Sequence, residues 1–115
     1  MTIKIIKSKI NQSQLQELAK NSYVDMIKGV VDIKQEITAF GGLLHADCEE
    51  VLLKEGSDQM DLWGFNIHFN LSFDDRIEYT SFINIRPRQG NTKMEVQSPE
   101  LRERIKAVID KLIKL

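Results

Sequence analysis

The chain has 115 residues, 42% hydrophobic and 29% charged, with a net charge of −1. That length can bury the core of one ordinary domain without a disulfide or a metal. The near-neutral balance excludes a broadly basic nucleic-acid footprint and leaves room only for a local patch. Cys48, the single cysteine, excludes an internal disulfide. With no apolar run approaching about 18 residues and no signal-peptide pattern in "MTIKIIKSKI", the expectation is one cytoplasmic domain over residues 1–115, without a membrane partner.

In chain order, Ile3, Ile5 and Ile6 predict a short strand with Lys4 and Lys7 turned outward. Asn11 or Ser13 then caps a helix whose apolar stripe runs through Leu15, Leu18, Ala19, Tyr23, Met26, Ile27 and Val30. Gly29 is placed to end it. Next, Val31, Ile33, Ile37 and Ala39 alternate with Asp32, Lys34, Glu36 and Thr38, which is strand periodicity. Gly41-Gly42 predicts a two-residue hairpin turn into "LLHADC", with Ala39 facing Leu44 and Ile37 facing Ala46.

That hairpin lines up His45, Asp47 and Glu49 on one strand face, a spacing chemically suited to a metal. The competing reading is a solvated face running into a short helix, "CEEVLLKE", capped by Asp47 with Glu50 completing a capping box and Gly56 ending it. The second reading is preferred, so neither a metal site nor a cofactor is expected.

A second hairpin is predicted from "LWGFNIHFN" and "IEYTSFINIRP", with Phe69 paired to Ile77 and Ile67 to Tyr79. Its polar face carries Asn66, His68, Glu78, Thr80, Asn84 and Arg86, and Gly64 leaves room there for a ligand or a neighbouring backbone. The loop "IRPRQGNTKMEV" gathers Arg86, Arg88, Gln89, Gly90, Asn91 and Lys93, and forked cations beside a glycine turn suit phosphate or carboxylate oxygens. "QSPELRERIKAVIDKLIKL" reads as a helix capped by Ser98, with Pro99 in its first turn and a buried stripe of Leu101, Ile105, Val108, Ile109 and Leu112.

The stretches "EEVLLKEGS", "LWGFN" and "INIRPRQGN" resemble a small prokaryotic family of about this length, classed as a domain of unknown function. The resemblance runs over nearly the whole chain. It implies one intact domain and brings no activity and no catalytic residues.

The expected fold class is α+β. An antiparallel sheet built from two hairpins packs one face against two longer helices, with a short helix at one edge and the N-terminal strand and "KMEV" as candidate additions. The preferred function is a binding module. It would recognise an anionic ligand or partner through the open sheet face and the arginine loop, using Asn66, Asn84, Arg86, Arg88 and Asn91. The alternative is a small hydrolase or nuclease-like enzyme. There His45 or His68 would be the acid/base group, Asp47 or Glu49 its orienting carboxylate, and Arg86 and Arg88 a substrate clamp. A homodimer joined through the exposed sheet face is a third reading. The enzyme lacks a nucleophile motif, a phosphate loop and a two-histidine zinc motif, and Cys48 is expected in the core.

Overall fold

A computed structural model describes residues 2–115. In chain order the elements are β1 (Lys4–Ile6), β2 (Ile10–Asn11), α1 (Gln12–Ala19), β3 (Met26–Asp32), β4 (Ile37–Phe40), α2 (His45–Lys54), β5 (Leu62–His68), β6 (Ile77–Glu78), α3 (Pro99–Leu112) and β7 (Ile113–Lys114). Five strands form one antiparallel sheet in the order β1-β4-β3-β5-β6. β2 and β7 form a separate parallel pair that ties the start of α1 to the end of α3.

Register fixes the two faces. Ile27, Val31, Phe40, Trp63, Phe65 and Ile67 share one face and pack with Leu15 and Ala19 of α1 and Ile105, Val108, Ile109 and Leu112 of α3. Val30, Ala39 and Leu62 share the other and pack with Cys48 and Leu52 of α2. At the centre of the first face, a Cβ on Gly29 would stand 2.6 Å from the Phe65 ring and 2.8 Å from that of Phe40. The glycine lets those rings meet edge to face over the middle strand, their centroids 5.6 Å apart.

The α+β class holds, but the expected arrangement within it does not. There are three substantial helices, of 8, 10 and 14 residues, and the helix expected to be short, α2, is longer than α1. Both sheet faces bear helices, so the picture of one covered face with an edge helix is replaced. The first helix stops at Ala19, and Met26, Ile27 and Val30, expected on its stripe, belong to β3. Two neighbouring strands and the β-branched run after Gly29 outweigh a helical spacing that fits the same residues.

The single strand expected through Val31, Ile33, Ile37 and Ala39 is broken: β3 ends at Asp32, β4 begins at Ile37, and the two pair as a hairpin that turns at residues 33–36. The Asp32 carboxylate accepts the Lys34 and Gln35 N–H groups there, each at 2.9 Å, and Glu36 takes a positive φ of 57°. Gly41 and Gly42 also take positive φ, 111° and 75°, yet they lead into α2 rather than a returning strand. The pairing of Ala39 with Leu44 and of Ile37 with Ala46 is therefore absent. α2 starts at His45 with Leu44 at its N-cap position and no side-chain cap, so Asp47 lies inside the first turn instead of capping it.

The second hairpin pairs Ile67 with Ile77, two residues away from the expected register, and β6 is only two residues long. Beyond it the chain makes 3-10 turns at Phe82–Asn84 and Pro87–Gln89. "KMEV" contributes a single bridge, Thr80 to Glu95. The N-terminal strand does join the sheet, as β1 on β4. α3 follows its expectation, with the Ser98 hydroxyl accepting the Leu101 N–H. No helix among the described residues is long and apolar enough to cross a membrane.

Candidate functional site

The second sheet face is not fully covered. Beside the start of α2 a row of side chains crosses three strands: Lys28 on β3 stands opposite Asn66 on β5, and Asn66 opposite Glu78 on β6. Asn66 Nδ2 donates to Glu78 Oε1 at 2.8 Å, and His68 Nε2 meets the same oxygen at 3.0 Å. These two contacts, the Asn66 amide first, hold the Glu78 carboxyl below the usual range. Asn66 Oδ1 is buried without a hydrogen-bond partner.

α2 brings His45 over this row. Its Nε2 lies 2.8 Å from the Phe65 carbonyl oxygen. A carbonyl only accepts, so Nε2 carries the proton and Nδ1 keeps a lone pair in the neutral ring. Burial lowers the His45 pKa from its ordinary 6.5. The Phe65 bond opposes that shift, the Lys28 charge adds to it, and the Asn66 amide and Glu78 oppose it more weakly.

In front of His45 a cleft of about 350 Å³ opens, lined by Tyr23, Lys28, Leu43, Leu44, His45, Ala46, Ser81, Phe82 and Ile83. Three of its apolar walls stand in water: Leu43 is 43% exposed, Leu44 60% and Phe82 77%. Tyr23 OH donates to the Leu43 carbonyl at 2.9 Å, which ties the loop before α2 to the end of the α1–β3 connection. The Lys28 ammonium sits 5.6 Å from the Tyr23 ring centroid, and no carboxylate among the described residues lies within ion-pair distance of it.

Of the residues singled out from the sequence, His45, Asn66, His68 and Glu78 share this face. Asp47 does not, because a helix turns it about 200° away from His45, where it lines a groove with Ile3, Gly42 and Glu50. Glu49 leaves Oε2 buried without a hydrogen-bond partner, and its charge acts on Arg86. No group of three His, Cys, Asp or Glu side chains among the described residues is placed to hold one metal ion.

The remaining four sit around the other end of β5. Asn84 is fully buried; its Oδ1 accepts the Gly64 N–H at 2.8 Å and its Nδ2 donates to the Gly64 carbonyl at 2.9 Å. The side chain thus takes the place of a neighbouring strand's backbone. Asn91 Nδ2 reaches the carbonyls of Asn84, Lys93 and Glu95. Arg86 stacks 4.0 Å from the Trp63 ring centroid and donates to the carbonyls of Ile83, Gln59 and Leu62 and to Gln89 Oε1. Arg88 is exposed, in a groove with Gln59, Ile85 and Pro87. Arg86 holds Leu62, the first residue of β5, and His68 is the last, so arginine and histidine lie about 20 Å apart along the strand.

"LWGFN" and "INIRPRQGN", the stretches that carried the resemblance, are therefore bonded to each other through Gly64–Asn84 and Leu62–Arg86. A family model, DUF5674, described as a protein of unknown function, matches residues 4–112. The chain belongs to the DUF5674 family. Neither a curated protein nor a solved structure matches it. In this DUF5674 chain the cleft residues Tyr23, Lys28, Leu43, Leu44 and Phe82 escaped the sequence reading. Lys28 joins the polar row only once "MIKGVVD" is known to be a strand, and Leu43 and Leu44 had been read as strand residues within a hairpin.

Proposed function

We propose that this DUF5674 protein is a binding module that recognises an anionic ligand or partner at the uncovered part of its second sheet face, in the cleft over Lys28. The carrying observation is Lys28 itself, a half-buried residue that lines the cleft with no carboxylate within ion-pair distance of its ammonium. A cation held partly out of water gains from an incoming anion more than an exposed one does. The spread of the other groups supports binding over hydrolysis. His45 and His68 share a face, but Asp47 lines another groove and Arg86 holds the far end of β5, which leaves no clamp beside an acid/base pair.

The test is a fluorescence titration with the anionic dye 1-anilinonaphthalene-8-sulfonate. One saturable site is expected, lost in Lys28→Ala and kept in Arg88→Ala. Loss in Arg88→Ala with Lys28→Ala unaffected, or no saturable site at all, overturns the assignment to the cleft.

A further inference from the structure

Resting on that reading, we infer that the cleft takes a small amphipathic monoanion, a single carboxylate-type head group carrying an apolar tail. The lining sets the head. Lys28 is the one formal charge among the nine residues that form the wall, and the Glu78 carboxylate behind Asn66 in the same row already offsets part of it, which disfavours a second negative charge on the ligand. His45 has its Nε2–H committed to Phe65 and Tyr23 its hydroxyl to Leu43, so neither donor is free for more anionic oxygens. The Ser81 hydroxyl accepts the Ile83 N–H and keeps a single O–H to give to the head group. One ammonium balances a monoanion, whereas a phosphate dianion would enter with half its charge unmatched.

The remaining wall sets the tail. Leu43, Leu44, Ala46, Phe82 and Ile83 are apolar, and the largest of them, Phe82, is also the most exposed. An apolar tail laid across Leu44 and Phe82 removes their surface from water together with its own. A cleft of about 350 Å³ is at the small end of the range for ligand pockets. It suits a compact acid more than a folded partner. The groove between β1 and α1 offers no such contrast, since its wall holds both Lys4 and Glu17.

Isothermal titration with acetate, butyrate, hexanoate and octanoate, and with octylammonium as the charge-reversed control, tests this. Affinity is expected to rise about fourfold per added methylene. Octylammonium should bind at least tenfold more weakly than octanoate. Lys28→Gln should weaken octanoate about tenfold. Phe82→Ser should flatten the dependence on chain length; both positions lie outside the buried core, and circular dichroism confirms that the variants fold. Equal affinity along the series with Lys28 still required overturns the tail and leaves the anion site standing. Octylammonium binding as well as octanoate overturns the head. No measurable binding of any acid overturns this inference, and the dye titration then shows separately whether the anion site exists.

Discussion

Asn84 shows how a side chain's role depends on the backbone it meets. As an amide on the polar sheet face beside the arginine loop it had the makings of a ligand donor, yet it closes both backbone groups of Gly64 from inside the protein. Asn84→Ala would leave a buried N–H and C=O unpaired and should cost about 2–4 kcal/mol in chemical denaturation. Gly64→Ala should also destabilise, by about 1–3 kcal/mol, because the new Cβ would lie 2.5 Å from Ser81 Cβ. The two arginines separate in the same assay. Arg86→Ala removes four hydrogen-bond contacts and a stacked ring and should cost about 2–4 kcal/mol, whereas Arg88→Ala should stay within about 0.5 kcal/mol. Cys48 was expected in the core as an inward strand residue; it is buried there, but from α2, beside Leu52. Burial, and to a lesser degree Asp47, push its thiol up to about 12. Ellman's reagent should therefore label it only after unfolding, and rapid labelling of the native protein would contradict the buried placement.

At the scale of elements, the caps of α1 and α3 were readable, while the Asp47 cap expected before α2 and the strand pairing were not. Asn11 with Gln14, and Ser98 with Pro99, announce α1 and α3 through local hydrogen bonds that need no distant partner. β3 was hidden because Met26, Ile27 and Val30 fit a helical stripe as well as they fit a strand, and only β4 and β5 on either side decide between them. The same ambiguity made a strand of the start of α2. Its true anchor is the bond from His45 to Phe65, which the sequence could not show.

That anchor has a pH signature. The folded His45 pKa lies below 6.5, so on acidification the unfolded chain takes up the proton first. The stabilisation is complete above 6.5 and is lost as pH falls from there toward the folded value. Glu78, also lowered, acts with the same sign below 4.5. In the unbound protein, an NMR titration of the His45 ring proton should give a midpoint below 6.5. A midpoint at or above that value would place the ring in water.

For the whole molecule, the mix of strand and helix periodicities was a sound guide to the α+β class, and the pattern of both predicted hairpins misled about its layers. A sheet with helices on both faces leaves little open surface, and the cleft over Lys28 is where α2 stops short of covering the row from Lys28 to Glu78. The most direct test of the account locates the anion on the fold. Amide NMR spectra of the labelled protein, recorded while the sulfonate dye is added, should show saturable shifts at Lys28, His45 and Phe82 and little change at Arg88 and Gly90. Shifts confined to the Arg88 turn, or scattered without saturation, would contradict it.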